Sequence, residues 1–193
     1  MNAPALVLAS QSPRRRALLA QLGLHAEVRP AHVDETRHAG EGPRAYVERL
    51  ARTKALAVPG PLVLGADTTV AVDDHILEKP ADADDALRML RLLQGRSHEV
   101  YTAVALAAGG ALFAATDVSR VTFAPCDDAT LRAYVATGEP MDKAGAYAIQ
   151  GHGSALVTRI EGDFFGVMGL PLRLVTELLA RAGQPYAFPA AGA

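Results

Sequence analysis

The sequence predicts an α/β protein, and three features carry that reading. Runs such as residues 5–9 and 62–66 are apolar throughout, with no alternation, as in strands covered on both faces. Between such runs lie stretches with apolar residues at helical spacing, bounded by capping residues or by Gly and Pro. At 193 residues, 50% of them hydrophobic, the chain suits a single domain or one core with two lobes. Such a fold buries about 70% of the unfolded surface, so no staples are needed.

Taken in order, residues 5–9 form the first strand and lead into Ser12-Pro13, an N-cap followed by the residue favoured at the first helical position. The helix places Ala17, Leu18 and Leu22 on one face and stops at Gly23. Its first turn holds Arg14, Arg15 and Arg16, the wrong sign for a helix N-terminus, where each cation costs about 0.3–1 kcal/mol. Either an anion is meant to arrive there or the patch is simply solvated. A short strand follows around Glu27-Val28, then a loop. Gly42-Pro43 opens a second helix that runs to about Val58, with Tyr46, Val47, Leu50, Ala51 and Val58 on its apolar arc. Lys54 falls in the middle of that arc, so it either snorkels or points into an internal cleft.

Pro59-Gly60-Pro61 delivers the chain to the strand of residues 62–66, which is expected to end on Asp67. A carboxylate there is held rigidly and partly desolvated, at the kind of strand end where open α/β sheets place their chemistry. The plain alternative is that Asp67 caps a turn and Glu78-Lys79 is a surface ion pair. Asp73-Asp74 is a turn. Asp82, Asp84 and Asp85 give the next helix an acidic first turn, with Ala86, Leu87, Leu90 and Leu93 facing the core and Gln94-Gly95 ending it. Two long strands between residues 97 and 123 flank Gly109-Gly110. Asp127 or Asp128 caps a helix bearing Leu131, Tyr134 and Val135, which stops near Gly138. Residues 141–154 mix lysine, glycines, an aromatic and Gln150, the composition of a binding loop. Strands are expected at 155–160 and 164–168, and a last helix runs from Gly169-Leu170-Pro171 through Leu172, Val175, Leu178 and Leu179.

Composition excludes several classes of function. The net charge of −2 provides no global basic field, so no stable nucleic-acid complex is expected. No apolar run approaches the ~20 residues of a membrane span, and no membrane association is expected. The single Cys126 cannot form an internal disulfide and points to a reducing compartment, the cytoplasm. None of the six histidines pairs with another ligand at a zinc spacing, and there is no Walker A sequence, G-x-S-x-G or Cys-His nucleophile pattern. What remains is a set of cations, Arg14, Arg15, Lys54 and Lys79, and two acids, Glu35 and Asp67. That set suits a polyphosphate substrate: cations hold the phosphates, while a carboxylate binds a divalent metal or activates water. Magnesium suits such a site because few carboxylates and substrate oxygens hold it.

Four segments together resemble the Maf family of nucleoside triphosphate pyrophosphatases. They are Ala9-Ser10-Gln11-Ser12-Pro13-Arg14-Arg15, Leu64-Gly65-Ala66-Asp67-Thr68, Glu78-Lys79-Pro80, and the run from Asp142 to Gly151. The resemblance spans Leu6 to about Leu179, with the motifs in order, so residues 1–183 are expected to form one domain and 184–193 a frayed tail. It implies an elongated mixed β-sheet with flanking helices and two lobes around a deep cleft, related to the inosine triphosphate pyrophosphatases. It also implies hydrolysis between the α- and β-phosphates that depends on a divalent metal, Mg or Mn, and a homodimer. By the same resemblance Asp67 is the general base, while Ser10, Arg14, Arg15, Glu35, Lys54 and Lys79 hold phosphate or substrate. Asp67 and Glu35 are the candidate metal ligands.

Arg14, Thr68 and Gln150 stand where the family separates dTTP/UTP enzymes from those acting on 7-methyl-GTP. Arg14 would repel a cationic methylated purine, and the neutral amide of Gln150 offers a donor and an acceptor to the imide edge of thymine or uracil. A dTTP/UTP preference is therefore expected, with related modified pyrimidine nucleotides accepted. The competing readings are a 7-methyl-GTP pyrophosphatase and a non-catalytic, nucleotide- or nucleic-acid-binding regulator of septum formation.

Overall fold

The computed structural model describes residues 5–188. Strand and helix follow one another as β1 (Leu6–Leu8), α1 (Pro13–Gln21), β2 (Ala26–Val28), α2 (Pro43–Ala57), β3 (Leu62–Val72), β4 (His75–Leu77), α3 (Ala83–Leu93), β5 (Ser97–Ala108), β6 (Ala111–Phe123), α4 (Asp128–Ala136), β7 (Val157–Glu161), α5 (Phe164–Met168) and α6 (Leu172–Arg181). The seven strands form a mixed sheet in the order β2-β1-β3-β5-β6-β7, with β4 paired to β3. β1 runs parallel to β2 and β3, whereas β4 is antiparallel to β3 and β7 to β6. This is the α/β class that the apolar runs and caps predict, and the sheet is mixed, as the family resemblance implies. Among the described residues no helix is long and apolar enough to cross a membrane.

The chain forms two compact units. One holds the chain up to Asp67, Thr102–Asp117 and the chain from Gly169 on; the other holds Thr68–Tyr101 and Val118–Met168. In the first, Val7, Ala9, Val58 and Val63 pack together, which is why β1 and the start of β3 carry no polar side chain. Gly65 lies on β3 where α2 crosses closest. A Cβ there would fall 2.6 Å from the backbone N of Ala55 and nearer still to the carbonyl oxygen of Ala51, so only glycine allows the contact. In the second unit Val70, Leu77, Leu90, Leu93, Phe123 and Tyr147 belong to one buried cluster.

Local chemistry accounts for most boundaries. Ser12 caps α1 by accepting from the Arg15 backbone N–H, Asp82 caps α3 and Asp127 caps α4. Four expectations fail. The strand of residues 62–66 does not end on Asp67: β3 continues to Val72, because Val70 to Val72 pair with β4 across the Asp73-Asp74 turn. Residues 164–168 are a helix, α5, since the Asp163 carboxylate accepts from the backbone N–H groups of Phe165 and Gly166, and a short apolar run does not by itself tell helix from strand. β7 begins at Val157 because residues up to Leu156 form a 3-10 turn. The buried face of α1 is Leu18 and Leu19, with Ala17 exposed and Leu22 half-buried. Residues 184–188 carry neither helix nor strand, and the rest of the expected tail, residues 189–193, lies outside the described residues.

Candidate active site

The lysine on the apolar arc of α2 decides the geometry of the first unit. Lys54 is 7% exposed, and its Nζ donates to Asp67 Oδ1 at 2.7 Å and lies 2.9 Å from Glu35 Oε1. It therefore points inward and does not snorkel. The close crossing of α2 over Gly65 brings a helix side chain and a β3 side chain within reach of one another. Asp67 is itself 7% exposed. Loss of water pushes its carboxyl above the usual aspartate range, and the charges of Lys54 and Arg15 offset that only in part.

Glu35 arrives on an irregular loop that α2 holds in place. The hydroxyl of Tyr46 donates to the Glu35 carbonyl at 3.0 Å. Arg49 reaches the Thr36 carbonyl at 3.1 Å and grips the Glu41 carboxylate at 2.7 Å, keeping Glu41 down at about 2. Glu35 is exposed where Asp67 is buried, so the two carboxylates sharing Lys54 sit at the mouth and the floor of the cluster.

Arg15 closes the other side. Its Nη1 donates to Ser10 Oγ at 3.0 Å and to the Ala66 carbonyl at 2.9 Å, and its Nε to the Gly169 carbonyl at 2.8 Å. The guanidinium thus ties the end of β1, the residue before Asp67 and the start of the last helical segment together. Burial lowers its pKa, with Asp67 acting in the opposite sense. Ser10, 8% exposed, also accepts from the Ser12 backbone N–H at 3.3 Å. Arg14 is half-buried beside it in the first turn.

Lys54, Asp67 and Glu35 thus form one ion-paired group, and Arg15, bonded to Ser10 and to the Ala66 carbonyl just before Asp67, lies close enough to act on Asp67 by charge. Lys79, Thr68 and Gln150 belong to the second unit. Lys79 is exposed in the turn between β4 and α3, Thr68 is half-buried next to Asp67 in the chain, and Gln150 is exposed at the head of the 3-10 turn of residues 151–156. That glycine-rich loop is tied to the β4–α3 turn by the Gly145 N–H, which donates to the Glu78 carbonyl at 3.1 Å. Sequence reasoning placed Tyr46 on an apolar arc and Gly65 in a motif but gave neither a part in building the site. A glycine inside a strand is itself a signal of close backbone approach. Nothing local marks Tyr46.

Chemically, this cluster can hold an anion against Arg15 and Lys54 and accept a proton on Asp67. Asp67 and Glu35 supply two carboxylates; among the described residues no group of three or more His, Cys, Asp and Glu could hold a metal ion by itself.

The fold and this cluster define a class of mixed α/β proteins that keep a desolvated carboxylate and its cation inside one unit of a two-unit chain. Within that class the chain belongs to the Maf family: the family described as Maf-like protein matches residues 5–182. It is 57% identical to a protein of Anaeromyxobacter dehalogenans named dTTP/UTP pyrophosphatase, over 95% of this chain and 96% of that one. Proteins of the same name from Myxococcus xanthus and Koribacter versatilis are 53% and 52% identical, covering 93% and 92% of this chain and 93% and 94% of theirs.

Proposed function

We propose that the chain is a nucleoside triphosphate pyrophosphatase that converts dTTP and UTP to the nucleoside monophosphate and pyrophosphate, with residues 1–183 as its catalytic domain. The observation that carries the reading is Asp67, a buried carboxylate of raised pKa held by Lys54 and acted on by the charge of Arg15, which bonds Ser10. A pure binder of polyanions gains nothing from a carboxylate among its cations. A carboxylate whose pKa is raised by burial is a stronger proton acceptor than an ordinary one, which is what a general base requires.

In the reaction, water attacks the α-phosphorus, Asp67 takes the proton released, and the bond from that phosphorus to the bridging oxygen breaks, its electron pair leaving with pyrophosphate. Arg15 and Ser10 hold phosphate oxygens in a fixed orientation, because the protein has already set the guanidinium against three of its own oxygens. Lys54, Arg14 and Lys79 offset charge as it develops on the leaving group.

The donor set fits a divalent ion: Asp67 and Glu35 already share one cation, and magnesium takes one or two carboxylates, with substrate oxygens and water completing its shell. Asp67 and Glu35 would hold magnesium or manganese, which when bound supplies Lewis-acid stabilisation of the phosphate oxygens. Gln150 reads the imide edge of the pyrimidine, and Arg14 and Thr68 stand with it as specificity residues.

The test is a competition among dTTP, UTP, dCTP and 7-methyl-GTP, scored by nucleoside monophosphate and pyrophosphate release. Highest kcat/KM for dTTP and UTP is expected. A higher value for 7-methyl-GTP, or no turnover of any nucleotide, would overturn the proposal.

A further inference from the structure

In the second unit one carboxylate organises the loop that carries Gln150. Glu139 Oε1 accepts from the Tyr134 hydroxyl at 2.9 Å and from the Gly153 N–H at 2.8 Å, and Oε2 accepts from the His152 N–H at 2.9 Å. The Tyr134 oxygen in turn accepts from the Ala148 N–H at 3.1 Å. The backbone is thus fastened on both sides of Gln150, two residues before it and two and three residues after it. Ser154 adds a bond from its hydroxyl to the Gly151 carbonyl at 2.7 Å.

The glycines of the loop answer to the same hub. Gly151 has φ +73°, and a Cβ on it would run into the Glu139 carboxylate; a Cβ on Gly153 would lie 2.6 Å from the Tyr134 hydroxyl. The carboxylate is half-buried. Its lost water favours protonation, but the two backbone N–H groups and the Tyr134 hydroxyl prevail and hold its pKa below the usual value. Amid this the Gln150 side chain itself is exposed. A loop held this firmly around one outward-facing amide is a preorganised recognition element, in which ordering is complete before a ligand arrives.

We infer that Glu139, acting with Tyr134, is the positioning residue for base recognition: it fixes residues 148–153 so that the Gln150 amide meets the imide edge of a pyrimidine nucleotide. The inference rests on the pyrimidine reading above. Glu139 touches neither base nor phosphate in this scheme and acts through the loop.

The experiment compares the ratio of kcat/KM for dTTP to that for dCTP, whose base presents an amidine edge instead of an imide. The variants are Gln150→Ala, Glu139→Ala, Glu139→Gln, Tyr134→Phe and the double Glu139→Ala/Gln150→Ala, each checked for folding by circular dichroism. Gln150→Ala is expected to lower the ratio. Glu139→Ala should lower it by a similar factor, about 10-fold, through misplacement of the amide. The double variant should be no worse than either single one, and Glu139→Gln, which keeps an acceptor for the loop N–H groups, should recover most of the ratio.

Faster hydrogen exchange across residues 148–154 in Glu139→Ala is expected alongside. If Glu139→Ala does not fold, Tyr134→Phe, which loses the hydroxyl between Glu139 and Ala148, carries the same expectation. If Gln150→Ala lowers the ratio while folded Glu139→Ala and Tyr134→Phe leave it unchanged, the positioning role is overturned and the pyrimidine reading stands. A ratio unmoved by Gln150→Ala overturns the base-reading role of that residue, and the inference with it.

Discussion

Replacing Lys54 by methionine removes the cation shared by Asp67 and Glu35 while keeping most of the apolar stem that packs on α2. The two carboxylates respond differently. Glu35 is exposed, and its pairing contributes little to stability. Asp67 is 7% exposed and becomes a buried charge without its nearest partner, which costs about 3–5 kcal/mol. For a chain of this size that is a fall in Tm of roughly 6–20 °C.

The cost depends on pH. Burial already raises the pKa of Asp67 in the folded state, and loss of Lys54 raises it further. A group with a raised folded pKa contributes stability that is fully present below its unfolded pKa and is lost as pH rises through the folded one. The deficit of Lys54→Met relative to the parent should therefore be larger at pH 8 than at pH 5, where Asp67 can take up a proton. Urea unfolding at both pH values measures it. The double variant Lys54→Met/Asp67→Asn should recover most of the loss, since it buries no charge at either position. An equal deficit at pH 5 and pH 8, or no recovery in the double variant, would refute the claim that the ion pair with Asp67 is what Lys54 supplies. If Asp67 is the base, the acid limb of the kcat/KM profile should also move to higher pH in Lys54→Met.

Asp67→Asn keeps size and hydrogen bonding but removes the proton acceptor, and steady-state turnover should fall at least ~100-fold with the circular dichroism unchanged; a variant keeping a third of parental turnover would assign Asp67 to structure. Gly65→Ala forces α2 off β3, and urea unfolding should show a loss of at least about 1–3 kcal/mol together with reduced activity, because the same helix carries Lys54. Unchanged stability would mean that α2 has room to shift. His98 is 3% exposed, bonds Tyr147 through Nε2 at 2.8 Å, and is lowered from 6.5 to about 4 by burial alone. Its folded pKa is depressed, so stability present above pH 6.5 should be lost as pH falls toward 4, by about 3 kcal/mol at 1.36 kcal/mol per pKa unit. His98→Phe should flatten that slope, and an identical slope in the variant would place the acid sensitivity elsewhere.

Much of this protein is written locally. Caps at Ser12, Asp82 and Asp127 mark helix starts, Gly109-Gly110 marks the β5–β6 turn, and the unbroken apolar runs of β1 and β3 announce a sheet covered on both faces. Lys54 is legible too, since a period of 3.6 residues puts it on the core side whatever the helix packs against. These features depend on neighbours a few residues away, so the sequence by itself determines them.

Other features depend on partners far along the chain. Among Arg14, Arg15 and Arg16 the sequence leaves an anion site and a solvated patch both open; only the fold sets Arg15 against Ser10, Ala66 and Gly169, the last 154 residues away. Likewise nothing beside Glu139 in the chain points to His152 and Gly153, whose backbone N–H groups close onto its carboxylate. Hydrogen bonds and ion pairs act over a few ångströms in space. When both ends lie within one turn the sequence displays them, and when they are separated by a whole unit only the packing of the backbone brings them together.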